Sequence, residues 1–289
     1  MKYSSEEIEN SVEDALRRRK KALEIAKTTE IEDYQKFLLS SYHAEMSEEE
    51  YAEMIRQIYK ELPKYPFKGN WTTAEKSKIL NDWLFFFPDL ARRKPKTVLK
   101  RLVGPLCLSL SFKMTTSMGA DYKVYYSIHN LTYISDYMIS GLSSIPLDIM
   151  YFYEHEAKYK KYVEKAKTEA FVPLSGPVTL DDVFAGYNKA ARRPYEVRVP
   201  TLVAAWAGEP EKAQEYLEWG RNKLIGDQTY LGLKLQEIDK WYEEHQKLIA
   251  NPEVLRANAR AEAKKFKLEF APYQDIVGVP YQPGGLFDK

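Results

Sequence analysis

The stretch that most limits what this chain can fold into is LCLSLSFK, residues 106–113, where Leu106, Leu108, Leu110 and Phe112 alternate with Cys107, Ser109, Ser111 and Lys113. Successive side chains of an extended strand point to opposite faces, so a period of two gives one apolar face and one polar face. After the loop MTTSMGA the alternation resumes in DYKVYYSIHN: Tyr122, Val124, Tyr126 and Ile128 against Lys123, Tyr125, Ser127 and His129. The two runs predict an antiparallel hairpin with Cys107 opposite Ser127 or His129. A hairpin alone is marginally stable in water, so helices must cover its leucine face.

Most of the remaining chain carries helical spacing. Ser4 and Glu7 form a capping-box pattern ahead of Ile8, Val12, Ala15, Leu16, Leu23 and Ala26, predicting a helix over 5–27 in which the basic run Arg17 to Lys21 is a solvated face. Further helices are expected in IEDYQKFLLSSYH, in SEEEYAEMIRQIYKEL (capped by Ser47 and Glu50, stopped by Pro63), in AEKSKILNDWLFFF and in the short KTVLKRLV. Beyond the hairpin, 131–150 is mixed and apolar, and YFYEHEAKYKKYVEKAKTEA is amphipathic, with EHE on a surface-facing helix. PLSGPV reads as a linker, Thr179 caps LDDVFAGYNKAAR, and RRPYEVRVP reads as extended. TLVAAWAGEPEKAQEYLEWGRNKL reads as two helices around Gly208 and Pro210, followed by helices over about 228–249 and 252–266. The fold class is therefore α+β, predominantly α-helical, with a small antiparallel hairpin or sheet around residues 106–130. One domain over 1–289 is expected, with a soft boundary near 173–178 and an extended Pro- and Gly-rich tail over 268–289 lying on a surface.

Composition narrows function by exclusion. Lys and Arg total 43 against 42 for Asp and Glu, so no net field draws nucleic acid or anionic lipid, and any such attraction has to be local. A lone cysteine, Cys107, excludes an internal disulfide and fits a reducing compartment. The acidic residues near the N-terminus do not suit a secretory signal, and no apolar run reaches the ~20 residues that span a bilayer. These features point to a cytoplasmic protein with no membrane partner.

No metal or cofactor is expected. His43, His129, His155 and His245 are separated from one another and lack metal-ligand spacing, and the 13 glycines form no phosphate-binding loop. Asp181 and Asp182, or Glu154 and Glu156, are poor carboxylate pairs, since such neighbours on a helix do not face each other. The one catalytic arrangement the spacing allows is a hydrolase with Cys107 or Ser109 as nucleophile and His129 as base, Asp121 and Asp136 being near in sequence. Two surfaces could instead bind a protein. One is the polar strand face bearing Ser109, Ser111, Tyr125, Ser127 and His129. The other is the acidic helix start HAEMSEEEYAEM, with Glu48, Glu49 and Glu53, which would suit a basic partner. The 22 tyrosines fit half-buried layers or such interfaces.

RLVGPLCLSLSF and YYSIHNL, followed by PLDIMYFYEHEAKYKKYVEKA and LVAAWAGEPEKAQEYL, together resemble the helix-rich immunity proteins encoded beside bacterial polymorphic or type VI secreted toxins. That resemblance covers about the central two thirds of the chain. It implies a non-catalytic antitoxin that binds a cognate effector and occludes its active site. A helical adaptor is a third expectation, tied to residues 201–266 stacking as a repeat array.

Overall fold

The computed structural model describes residues 3–29, 31–61, 71–93, 96–115, 121–134 and 150–287. The chain divides into two compact units, 1–67 and 68–289. Residues 173–178, where a soft boundary was expected, lie inside the second.

The 1–67 unit contains α1 (Ser5–Thr28), α2 (Glu32–Ser41) and α3 (Glu48–Glu61). Ser4 caps α1 through a reciprocal pair of bonds with Glu7, satisfying two of the amides that a helix start leaves open. One stretch of α1 buries Ile8 and Val12 with Ala52 of α3, and another buries Ala22 and Ala26 with Leu38 of α2. The basic run is not uniformly solvated. Arg17 and Arg18 pair with Asp14, but Arg19 is buried and donates to the carbonyls of Tyr42, His43 and Met46, where α2 ends. A helix end leaves carbonyls without partners, and a guanidinium with five N–H donors can satisfy several at once.

The 68–289 unit opens with α4 (Thr73–Phe86), begun by a Thr72/Glu75 capping box. A sheet follows, formed by β1 (Ala91–Arg92), β2 (Val98–Val103), β3 (Leu106–Thr115), β4 (Asp121–Asn130) and β5 (Met150–Tyr151), neighbours in chain order and antiparallel. Helices α5 (His155–Glu169), α6 (Leu180–Ala190), α7 (Pro194–Trp206), α8 (Pro210–Gly226), α9 (Gln228–Leu231), α10 (Leu235–Ile249) and α11 (Pro252–Lys265) come next. Last is β6 (Tyr273–Gln274), which joins the edge of β2 in parallel.

The architecture is α+β and mostly helical, with an antiparallel sheet built around the expected hairpin. Leu106, Leu108, Leu110 and Phe112 are buried, as are Tyr122, Val124, Tyr126 and Ile128 beside them. Trp83 of α4 sets its ring edge-on to Phe112 at 5.4 Å, and the Tyr126 hydroxyl donates to the Val172 carbonyl at 2.8 Å while accepting from the Val172 amide at 3.1 Å. Helices thus cover the leucine face, at ~1.5–3 kcal/mol per fully buried large side chain.

Three segments differ from their expected structure. KTVLKRLV contributes β2 and not a helix: buried on both faces, it shows no clean alternation, and its apolar positions fit either period. RRPYEVRVP begins α7, with Pro194 in the first turn and Glu196 accepting from the amides of Arg192 and Arg193. The tail is extended but is partly core. Ile276 is fully buried, the Val277 amide donates to Val178 at 2.8 Å, and Tyr281 packs edge-on to Trp206 at 4.9 Å. Gly104 turns β2 into β3 at φ +51°, where a Cβ would sit 2.9 Å from Ile276, so the turn needs glycine for both conformation and space.

Residues 173–178 are held by Arg101, which is 1% exposed, bonds Asp89 at 3.2 Å and donates to the Gly176 carbonyl at 2.9 Å. Helix α7 is the hub of the helical layer, contacting α6, α8, α10 and α11.

Candidate functional site

The hairpin register places Cys107 opposite His129, Ser109 opposite Ser127 and Ser111 opposite Tyr125, so all six fall on the polar face of the sheet. Strand β2 adds Leu102, Lys100 and Val98 opposite Cys107, Ser109 and Ser111. Just before β2, Thr97 is bonded through backbone and side chain to Phe112, and Lys96 precedes it. Lys113 in turn faces Lys123. Arg93 follows β1, where Ala91 pairs with Lys100, and donates to the Phe266 carbonyl at 3.2 Å.

One end of this face is sealed. Cys107 is 1% exposed, and burial pushes its thiol up to about 11. A thiol so placed is almost wholly protonated at neutral pH and out of reach of a substrate. His129 is 5% exposed, with its ring edge-on to Phe266 at 5.5 Å. The Ser109 and Ser127 hydroxyls bond each other at 2.7 Å. Asp121 is bonded by Thr115 at the far end of β4, eight residues from His129, or ~26 Å along a strand. It cannot orient that imidazole. Asp136 lies outside the described residues. The sheet therefore brings the expected nucleophile and base together but encloses them.

The other end is open and cationic. Ser111 and Lys123 are half-buried, Tyr125 is 38% exposed, and Lys113 and Lys96 are exposed. Lys113 and Lys123 face each other on strands ~4.8 Å apart, Lys96 lies two residues before β2, and among the described residues none of the three has an ion-pair partner. Burial holds the Lys100 ammonium below its usual range; the Cys107 sulfur opposes this, while nearby Lys96 and Arg93 add to it. Like charges directly opposite one another destabilise a sheet, so this row is costly to the isolated protein. Sequence alternation had placed Lys113 and Lys123 on the polar side. Lys96 and Lys100 were missed because KTVLKRLV was read as a helix, and Arg93 because β1 was not foreseen.

Glu48, Glu49 and Glu53 belong to the 1–67 unit, whereas the sheet residues belong to the 68–289 unit. They are exposed on the first turns of α3, where carboxylates complement the helix dipole. Glu50 caps Ser47, and Glu53 pairs with Arg56 at 3.5 Å.

A further cluster was not foreseen. His155, expected on a surface, is 1% exposed. Its Nδ1 lies 2.6 Å from the Tyr122 hydroxyl and its Nε2 2.8 Å from Asp82, which also receives Lys78 at 3.0 Å. Burial lowers the imidazole pKa, Asp82 works against that, and burial prevails. The neutral tautomer that satisfies both bonds donates from Nε2 to Asp82 and accepts from Tyr122. Its partners are 33 and 73 residues away, so no local pattern announces the cluster. It ties α4, α5 and β4 together and is closed to solvent at Tyr122.

Among the described residues, no group of three or more His, Cys, Asp or Glu side chains is arranged to hold a metal ion, and no helix is long and apolar enough to cross a membrane. Comparison with family models, curated proteins and solved structures found no match.

Proposed function

We propose that the chain is a protein-binding module without a reaction of its own, and in its most concrete form an immunity protein of the bacterial cytoplasm that neutralises a cognate secreted toxin by occluding it. The observation that carries this reading is the division of the polar sheet face: the groups able to do chemistry, Cys107, Ser109 and His129, are enclosed, while Lys113 and Tyr125 of the same face are exposed and Ser111 and Lys123 half-exposed. A half-exposed tyrosine among hydroxyls and cations suits a protein interface, where Tyr supplies contact area at small rotamer cost. The hydrolase alternative is disfavoured because its nucleophile is a buried, protonated thiol or a serine already bonded to Ser127. The adaptor alternative is disfavoured because a repeat array needs about three stacked helix pairs, whereas this layer supplies two, α7 with α8 and α10 with α11.

The test is co-expression with the toxin candidate encoded beside the gene. Protection of the cells and co-purification at nanomolar Kd support the reading; cells that die at the same rate with and without the chain refute it.

A further inference from the structure

We propose that the open half of the sheet face docks an acidic protein surface, steering a carboxylate-bearing partner onto β3 and β4. This deepens the binding reading above and rests on it.

Lys113 and Lys123 face each other in one row; Ser111 and Tyr125 form the next; Lys100 lies in the third, with Ser109 and Ser127; Lys96, just before β2, and Arg93, just after β1, lie close to Lys100. Among the described residues no carboxylate falls on these three rows; the nearest, Asp121, is one row further on, buried and bonded by Thr115. The chain as a whole is almost neutral at +1, so this concentration of one sign is local. Cations elsewhere in the protein are commonly paired, as Lys78 is with Asp82 and Glu156, Lys212 with Asp181, and Arg221 with Asp239. The row that lacks such pairing is the one where lysines oppose one another across strands. Self-repulsion of this kind is relieved by a counter-charge supplied from outside, and a one-signed patch speeds encounter with an oppositely charged partner.

The observations favour carboxylates over phosphates. Single-stranded nucleic acid is held by successive bases stacked on aromatic rings, and on the open rows Tyr125 is the sole aromatic side chain among the described residues. Ser111 and the Tyr125 hydroxyl add donors in the adjacent row. The ~4.8 Å between the strands bearing Lys113 and Lys123 is close to the ~5–6 Å between side chains three or four apart on a helix, so an acidic helix can meet both lysines at once.

The test uses the full-length chain and a labelled poly-L-glutamate of about 50 residues as probe, with poly-uridine as the competing polyanion, followed by stopped-flow anisotropy over a range of salt. Replacing Lys96, Lys113 and Lys123 together by Glu is expected to slow association with polyglutamate by about tenfold or more at low salt. Replacing the three by Gln should give a smaller loss, and Glu48→Gln with Glu49→Gln and Glu53→Gln no loss. Lys96 and Lys113 are exposed and Lys123 is half-buried, none of them in the core, so each variant should melt within about 2 °C of the parent, which separates lost binding from lost folding. Equal polyglutamate binding by the parent and the Glu variant, or tighter binding of poly-uridine than of polyglutamate by the parent, overturns the proposal. The assay contains no toxin: failure to protect cells defeats the immunity reading alone, and an unmoved polyglutamate rate defeats the acidic-partner proposal alone.

Discussion

Replacing Gly186 of α6 by Ala tests whether the helical layer sits on the sheet as described. In an ordinary helix interior this change stabilises by ~1 kcal/mol, because glycine surrenders more backbone freedom. At Gly186 a Cβ would lie 2.1 Å from the Phe171 carbonyl oxygen and 2.7 Å from its carbon, both backbone atoms, whereas separations under 3.0 Å are essentially never seen for real Cβ atoms. At least 0.9 Å must be regained. The neighbouring Val172 amide and carbonyl are both bonded to the buried Tyr126 hydroxyl, so the 171–172 backbone cannot retreat without breaking them. Overpacking of this kind costs ~1–3 kcal/mol and loss of one such bond another ~1 kcal/mol. After the helix gain the net is a destabilisation of ~1–3 kcal/mol, or ~2–10 °C in melting midpoint for a body of this size. Urea unfolding followed by circular dichroism should show a lower midpoint with an unchanged slope. Gly226→Ala, with nothing within 4 Å of its Cβ, is the control and should be neutral or stabilising. A Gly186→Ala protein that melts at or above the parent would refute the packing of α6 against Phe171.

Two further outcomes follow from buried titratable groups. Cys107, the chain's single thiol, should resist an aromatic disulfide reagent at pH 8 for hours and react completely once unfolded, since a thiol held up to about 11 is ionised to only ~1 part in 1,000 at that pH; rapid stoichiometric reaction of the native protein would mean that this end of the sheet is not sealed. For His155, burial lowers the native pKa below the unfolded value of ~6.5, so the unfolded chain binds more protons in the window between the two and stability must fall as pH drops through it. His245 is shifted the same way and adds to the slope, so the informative comparison is His155→Gln against the parent across that window: the variant should be less stable at pH 7.5 and the difference should shrink toward pH 5. A gap that stays constant with pH would remove the linkage.

The hairpin was legible because one face of β3 is apolar and the other polar, which fixes both element and register: a slip of one residue would move Leu106, Leu108, Leu110 and Phe112 to the opposite face. Strand β2 was not, since Leu99, Leu102 and Val103 are buried on both sides and Arg101 lies among them, leaving no alternation to read. The start of α7 looked extended because Tyr195, Val197 and Val199 alternate with charged residues, yet tertiary packing buries Val197 and Val199 within a helix. Charged side chains were the hardest to place. Arg19 and Arg101 look like surface residues by type, and only carbonyls supplied from 24 and 75 positions away make their burial tolerable. The candidate site was half legible: Cys107 could be set opposite Ser127 or His129 by counting, but the choice of His129 and its enclosure by Phe266 could not, and the nearness of Lys96 and Lys100 emerges only once β2 is known to be a strand.

The lysine-bearing half of the β3–β4 face is the proposed docking site of the partner. The most direct measurement of that docking is lysine acetylation footprinting, by mass spectrometry, of the chain alone and in complex with the toxin whose neutralisation it is proposed to perform. The account predicts that Lys96, Lys113 and Lys123 lose most of their reactivity in the complex while Lys20 and Lys21 of α1 keep theirs. Unchanged reactivity at the three sheet lysines, with protection confined to the 1–67 unit, would contradict it.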